Sequence, residues 1–140
     1  KGYLNNPEGT NEAFWANDWF RSGDIGVFDE NGYLYIVDRL KDMIITGGEN
    51  VYSVEVENAL YTHPAVLESA VIGVPDHKWG ESVKAFVVLK PGHKATEEEL
   101  INHCRERIAH YKAPRLVAFI PEIPKTGSGK IFKKGLKENS

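Results

Sequence analysis

Hydrophobic and polar residues alternate along two short stretches in the first part of the chain. Residues 25–28 and 33–37 form these stretches, and the segment Asp29-Glu30-Asn31-Gly32 separates them. Asn-Gly supplies the positive φ angles that tight hairpin turns require. The pattern therefore predicts a β-hairpin. Because a lone hairpin is marginal in water, we expect it either to belong to a preceding domain or to pack on the rest of the chain.

Downstream of residue 42 the hydrophobic pattern indicates further strands. Met43–Thr46 is a short apolar run that ends at two glycines, and residues 66–74, 83–89 and 116–120 are longer runs of apolar residues. The longer runs are rich in β-branched side chains and are bounded by proline or glycine, which is typical of strands. The pattern predicts an α+β unit with a small, mostly antiparallel sheet of about three strands.

Helices are expected to flank this sheet. Ser53 is placed to cap one helix, which would turn Val54 and Ala59 toward the core. Thr96 and Glu99 form a capping box for a second helix that continues to about residue 109, and a third, short helix starts at about residue 132. We expect the helices to lie on one side of the sheet.

Composition excludes several classes of function. The 140 residues are 41% hydrophobic with a formal net charge of -3, so the chain lacks the basic field that nucleic-acid-binding proteins carry. Cys104 is the only cysteine, which excludes an internal disulfide and favours a reducing compartment such as the cytoplasm. No apolar run reaches the roughly 18 residues of a transmembrane helix. The five histidines show no ligand spacing, so no metal site is expected.

A charged interruption, Asp38-Arg39-Leu40-Lys41-Asp42, follows the predicted hairpin. It divides residues 1–37, which we assign to the end of a preceding domain, from residues 38–140, which we expect to form a second domain. The chain does not begin with Met, so we expect it to be part of a longer protein.

The strongest candidate for chemistry is the segment Pro124-Lys125-Thr126-Gly127-Ser128-Gly129-Lys130. A P-loop requires glycine six positions before its lysine and serine or threonine directly after it, whereas this chain has Pro124 and Ile131 at those places. The segment is therefore not a phosphate cradle. A lysine on such a loop is instead suited to stabilising anionic charge that develops briefly, as in nucleotidyl transfer.

Two further motifs are ambiguous when taken singly. Ser22-Gly23-Asp24 suits a carboxylate that accepts hydrogen bonds from a ribose diol, but it is also an ordinary turn. Residues 38–51 combine a charged stretch with Gly47-Gly48, which by itself indicates a solvated linker and a tight strand exit.

The order of these motifs resembles the C-terminal portion of the adenylate-forming superfamily, and within it the AMP-forming acyl-CoA synthetases of the fatty-acid or coumarate type. The resemblance extends over nearly the whole chain. The matching motifs are Gly2-Tyr3, Trp19-Phe20-Arg21-Ser22-Gly23-Asp24, Asp38-Arg39-Leu40-Lys41-Asp42, Gly48, Glu55-Val56-Glu57, Gly73-Val74-Pro75-Asp76, Gly80-Glu81, Lys112-Ala113-Pro114 and the lysine segment that ends at Lys130.

The resemblance implies roles for four residues in nucleotide chemistry. Asp24 would hold the ribose hydroxyls of ATP or acyl-AMP, and Arg39 would support the same nucleotide. Asp38 would be the hinge about which the C-terminal domain swings between two orientations. Lys130 would contact carboxylate, ribose and α-phosphate oxygens during adenylation.

The resemblance also implies a path for CoA. Gly48 would let the pantetheine thiol pass close to the backbone in the second orientation, while Trp79, Tyr111 and Arg115 would contact CoA. For Trp79 a packing role remains equally open, because Pro75 and Gly80 bracket a loop that could expose it.

The implied enzyme is an acid–thiol ligase that works in two steps. A carboxylate attacks the α-phosphate of Mg-ATP to give acyl-adenylate and pyrophosphate, and the thiol of CoA then displaces AMP. ATP with Mg²⁺ and CoA would be substrates of the whole enzyme, with a medium- or long-chain fatty acid as the carboxylic acid. A peptide-synthetase adenylation domain and a non-catalytic binding module of the same fold are the alternatives.

Two departures from the family pattern concern charge and completeness. Lys133 stands where the family usually carries arginine, a change that keeps the charge. The pyrophosphate-binding loop, the adenine-binding residues and the acyl pocket of the family match no part of this chain. We therefore expect them upstream of Lys1, and expect the chain by itself to be inactive and to bind neither ATP nor CoA tightly.

Overall fold

The computed structural model describes residues 2–15 and 18–138. The chain divides into two compact units, an N-terminal unit (residues 1–41) and a C-terminal unit (residues 42–140). The N-terminal unit contains helix α1 (Pro7–Ala13) and strands β1 (Asp24–Phe28) and β2 (Leu34–Arg39). Helix α1 is not predicted from the hydrophobic pattern, because it is a single short helix that buries no residue.

The predicted hairpin is confirmed by the pairing of β1 with β2. The strands are antiparallel, with Asp24 opposite Arg39 and Phe28 opposite Leu34. A carboxylate oxygen of Asp29, at the turn, accepts the backbone N–H groups of Asn31 and Tyr33, each at 2.9 Å. Most large apolar side chains of the hairpin are exposed, including Phe28 at 72%.

The C-terminal unit is built on one sheet. Its strands are β3 (Ile44–Thr46), β4 (Glu49–Val51), β5 (Val66–Asp76), β6 (Gly80–Leu89) and β7 (Leu116–Phe119). The order is β4-β3-β6-β5, and β7 also pairs with β6. All neighbours are antiparallel except the β6–β7 pair. The α+β class and the mostly antiparallel sheet are confirmed.

The expected strand number of about three is wrong, since the described part of the chain contributes five strands to this sheet. Strand β4 accounts for part of the difference. It has three residues, Glu49, Asn50 and Val51, of which only Val51 is buried. So short and polar a segment carries no period-two signal, and only its pairing with β3 makes it a strand.

Helices α2 (Ser53–Tyr61), α3 (Glu97–Arg105) and α4 (Lys133–Glu138) flank the sheet. One buried cluster joins α2 and α3 to the sheet, with Leu60, Leu100 and Val71 among its members. A second cluster holds Ile72 of β5 with Leu136 of α4. Because successive residues of a strand point to opposite faces, the helices cover both faces, and the expectation that they lie on one side is wrong.

The helix ends show how local signals compare with tertiary contacts. The capping box of Thr96 and Glu99 is confirmed, although α3 ends at Arg105 rather than near residue 109. The N-cap of α2 is Tyr52, so the predicted cap at Ser53 is wrong. Val54 is 37% exposed instead of inward-facing, and Val56 is fully buried. Within the described ranges no helix is long and apolar enough to cross a bilayer.

Candidate functional site

Lys130 lies at the end of a hydrogen-bonded turn. The backbone N–H of Thr126 donates to the carbonyl of Lys130 at 2.7 Å, and the Thr126 hydroxyl accepts the N–H of Lys130 at 3.2 Å. Gly129 adopts a φ of 80°, which an L-residue rarely takes. Lys130 is exposed, and no group in the described part of the chain forms a hydrogen bond or ion pair with its ammonium. The turn therefore presents a cation that is available to an anionic ligand.

The base of this turn is closed by backbone pairing. Lys125 and Ile131 form an antiparallel bridge, and the N–H of Phe132 donates to the carbonyl of Pro124 at 2.7 Å. The Lys125 ammonium pairs with Glu68 of β5 at 2.7 Å, and this pair is partly exposed. We call residues 124–132 the Lys130 loop.

The residue that begins α4 ties the other end of the Lys130 loop to the domain. Lys133 Nζ lies 2.8 Å from Glu57 Oε1 and donates to the hydroxyl of Ser53 at 2.6 Å. The same Glu57 oxygen accepts the backbone N–H of Val71 at 2.9 Å. The side chains of Lys133 and Glu57 are only 15% and 11% exposed. A nearly buried ion pair thus joins α4, α2 and the centre of β5.

The N-terminal unit brings Asp24 and Arg39 together. They face each other across the hairpin, with Arg39 Nε 4.0 Å from Asp24 Oδ1. Gly23, at a φ of 75°, accepts the N–H of Leu40 at 2.8 Å through its carbonyl. An open hollow of about 440 Å³ is lined by Ser22, Gly23, Arg39, Leu40 and Lys41. A carboxylate and a guanidinium beside such a hollow can hold a diol and an anion.

Asp38 occupies a different environment from these two residues. It is 6% exposed, and its Oδ1 accepts the N–H of Arg39 at 2.7 Å. It lies opposite Ile25 near the end of β2, close to the division between the two units. Its role as a hinge stays a prediction.

Gly47 and Gly48 form the turn between β3 and β4. Their φ angles are 60° and 86°, as the two central positions of a tight hairpin turn require. The N–H of Gly47 donates to the carbonyl of Trp79 at 2.8 Å, and a Cβ on Gly47 would lie 2.9 Å from the Trp79 ring. A Cβ on Gly48 would meet no atom within 4 Å. Gly48 therefore leaves open backbone surface next to a residue that touches Trp79.

Two cations lie against the half-buried ring of Trp79. Arg115 Cζ is 4.7 Å and Lys78 Nζ is 4.8 Å from the ring centroid, within the range of cation–π attraction. The structure thus brings Gly47, Trp79 and Arg115 together. Tyr111 is 42% exposed and lies beside Lys112, which forms an ion pair with Glu55 at 2.8 Å.

Asp76 shapes the loop that carries Trp79. Its side chain accepts the Ser82 hydroxyl and the backbone N–H groups of Lys78 and Trp79, the latter two at 2.9 and 3.0 Å. These hydrogen bonds, that of Ser82 foremost, lower the pKa of Asp76 to about 2. The loop is therefore held by an ionised carboxylate throughout the neutral range.

Sequence reasoning missed Lys78, Ser53 and the pairing of Glu57 with Lys133. Lys78 adjoins Trp79 in the sequence and was discoverable as a neighbour of a candidate site. Ser53 is predicted as a helix cap, a role that its place in the sequence fits equally well, and Glu57 stands out only as part of a family motif. Nothing local links them to Lys133, which only the fold brings near.

Comparison with known proteins identifies the family. A model of the AMP-binding enzyme C-terminal domain matches residues 55–130. A probable acyl-activating enzyme of Arabidopsis thaliana is 55% identical over 98% of this chain. A long-chain-fatty-acid–CoA ligase of Mycobacterium tuberculosis is 51% identical over 99% of it. The structure of ATP-bound MatB from Rhodopseudomonas palustris superposes with a TM-score of 0.92 at 40% identity, over 99% of this chain and 28% of that one.

These relatives are much longer than this chain. The match covers 25% of the Arabidopsis protein and 27% of the mycobacterial ligase, so the chain spans about a quarter of their length. The family model covers more than half of the residues, including the Lys130 loop up to Lys130 itself. The chain belongs to the family of AMP-binding enzyme C-terminal domains.

Proposed function

We propose that this chain is the C-terminal lid of an AMP-forming acyl-CoA synthetase that activates a medium- or long-chain fatty acid. The observation that carries the proposal is the exposed Lys130 ammonium on a turn that is itself hydrogen-bonded. In this role Lys130 stabilises the charge that builds up when a carboxylate attacks the α-phosphate of ATP. The choice of a fatty acid is supported by the similarity to the mycobacterial long-chain-fatty-acid–CoA ligase.

The remaining candidate residues take roles that suit their surroundings. Asp24 accepts the ribose hydroxyls and Arg39 supports the phosphate side of the nucleotide, since both line or adjoin the hollow in the N-terminal unit. Asp38 serves as the hinge of the domain swing. The exposed apolar side chains of the hairpin support the assignment of residues 1–37 to a larger preceding domain, against which they would pack.

CoA is proposed to enter along Gly48 in the second orientation. The open backbone at Gly48 admits a narrow pantetheine arm, and the adjacent Trp79 and Arg115 offer a flat ring and a cation for the nucleotide end of CoA. Tyr111, which is partly exposed, would contact CoA as well. ATP with Mg²⁺ and CoA are substrates in this scheme, and a cytoplasmic location, testable by cell fractionation, is part of it.

The test is acid-dependent ATP–pyrophosphate exchange by the whole protein that contains this chain. Lys130→Ala should lower the exchange rate about a hundred- to a thousandfold, because one preorganised contact to developing charge is lost. Lys134→Ala is the matched control, since Lys134 is a nearby exposed lysine paired only weakly with Glu138. A Lys130→Ala protein that exchanges at the wild-type rate would overturn the proposal.

The choice of acid separates the alternatives. Exchange driven by fatty acids supports the synthetase, whereas exchange driven only by amino acids indicates a peptide-synthetase adenylation domain. The absence of exchange with every acid class would favour a binding module. The chain by itself should show no ATP binding by calorimetry, because it lacks sequence corresponding to the family's adenine and pyrophosphate sites.

A further inference from the structure

We propose that Lys133, Glu57 and Ser53 form a positioning network that holds the Lys130 loop in the geometry needed for adenylation. This inference rests on the proposed function of Lys130. None of the three residues is proposed to touch a substrate. They act through the loop that Lys130 occupies.

The network connects the loop to a buried part of the domain. Lys133 is the first residue of α4 and follows the loop directly. Its ammonium contacts Glu57 Oε1 at 2.8 Å, and that oxygen also accepts the N–H of Val71 at 2.9 Å. Val71 is fully buried in the middle of β5. A displacement of the loop root would therefore separate a charge pair in a nearly dry environment.

The other root of the loop has a weaker anchor. Lys125 and Glu68 pair at 2.7 Å, but their side chains are 44% and 35% exposed. Water and salt screen such a pair, and exposed pairs contribute little. The backbone bridge of Lys125 with Ile131 closes the loop on itself, but it does not tie the loop to the rest of the domain, so a loop that loses its anchor can open more often. Of the two charged anchors, the buried network at Lys133 is therefore the one that holds the loop more firmly on the domain.

The chemistry of the network constrains which residue can replace Lys133. The ammonium donates to two acceptors at once, Glu57 and the Ser53 hydroxyl. A guanidinium also offers several donors and a permanent charge, so arginine should preserve the network. Methionine fills similar space without any donor. Lys133→Arg and Lys133→Met thus form a matched pair.

The experiment measures the two half-reactions separately in the whole protein. Displacing a catalytic group by about 1 Å lowers the reaction rate by about a hundredfold. Lys133→Met should therefore lower kcat for ATP–pyrophosphate exchange by up to about that factor. KM for ATP should change less than about threefold. Thioester formation from added acyl-adenylate should stay near the wild-type rate, because Lys130 serves only the first step. Lys133→Arg should restore exchange, and Lys134→Met should leave both reactions unchanged.

A purely structural role predicts different results. Equal loss in both half-reactions, or no loss in either, would overturn the proposal. If Lys133→Met does not fold, as judged by circular dichroism, Ser53→Ala replaces it, since this variant removes one acceptor and keeps the ion pair. It should show the same selectivity for the first step, with a smaller decrease.

Amide hydrogen exchange keeps the inference separate from the proposed function. The N–H groups of Thr126, Gly129 and Phe132 are hydrogen-bonded in the Lys130 loop. Lys133→Met should accelerate their exchange, while Lys133→Arg should not. If the wild-type protein activates no acid, the proposed function fails on its own. Unchanged exchange of these amides in Lys133→Met would instead refute the network.

Discussion

Lys133 Nζ lies 2.8 Å from Glu57 Oε1 although the two residues belong to helices at opposite ends of the C-terminal unit's sequence. The pair crosses from one layer of the domain toward the other, since α2 and α4 pack in different core clusters. Local sequence patterns do not predict a contact between residues so far apart in the sequence. Because the ion pair forms only when the domain is folded, its loss is a sensitive measure of the stability of the fold.

Glu57→Gln should destabilise the chain by about 3 kcal/mol or more, because it leaves the nearly buried Lys133 without its counter-charge. Glu68→Gln, which breaks the exposed pair with Lys125, should cost about 1 kcal/mol or less. Urea denaturation of each variant measures the free energy of unfolding. Equal losses in the two variants would contradict the assignment of Glu57 as the buried anchor.

Gly48→Ala tests the proposed CoA path. Gly48 and Gly92 both have positive φ, at 86° and 76°, and a Cβ at either would meet no atom within 4 Å. Alanine at either site should therefore cost about 1–2 kcal/mol of backbone strain in the unfolding free energy.

The two glycine variants should have similar stability and should differ only in the rate of one half-reaction. Gly48→Ala should slow thioester formation from acyl-adenylate, since a methyl group would narrow the path of the thiol, and should spare ATP–pyrophosphate exchange. Gly92→Ala should spare both half-reactions. If the two variants have identical rates in both half-reactions, the proposal that CoA passes along Gly48 is wrong.

His103, on α3, should make the stability of the chain depend on pH. Burial, with Arg107 and His63 nearby, lowers the pKa of His103 from its ordinary value of 6.5. A lowered pKa means that the unfolded state binds the proton first, so stability is full above about 6.5 and falls as the pH drops through the folded pKa. In His103→Gln, the midpoint of urea unfolding should change less between neutral and mildly acidic pH than it does in the wild-type protein.

His93→Gln is a suitable control for this measurement, because His93 is exposed and contacts only the carbonyl of Pro91 among the described residues. His63 lies 3.5 Å from Glu99, and its ring packs edge-on against that of His103. A His103→Gln variant with the full wild-type pH slope would contradict the assignment of the pH dependence to His103.

Cys104 should be inert in the folded protein. Its side chain is fully buried, and burial raises the pKa of the thiol to about 11. Only the thiolate reacts readily, so a chromogenic disulfide reagent at pH 8 should label native protein very slowly and label urea-unfolded protein completely. Because the chain has one cysteine, the signal reports a single site. Rapid native labelling would show that α3 opens far more often than its packing implies.

Much of the fold was predictable because its signals are local. Asn31-Gly32 and the flanking alternation specify the hairpin, and Thr96 with Glu99 specifies the start of α3. The absence of β4 from the predicted strands and the wrong cap of α2 have a common reason. A three-residue strand exists only through its partner, and the hydroxyl of Ser53 accepts a hydrogen bond from Lys133, which is 80 residues away in the sequence.

The sequence by itself determined the class of the domain, its family resemblance and the candidates Asp24, Arg39, Gly48 and Lys130. These features depend on the order of motifs and on the residue types at turns, both of which can be read directly from the sequence. The tertiary structure alone decided which face each helix covers, that Trp79 meets Arg115, and that Lys133 finds Glu57. The physical reason is that these are long-range contacts. The energy of such a contact depends on how deeply its groups are buried and on the distance between them in space. The local sequence around each residue specifies neither quantity.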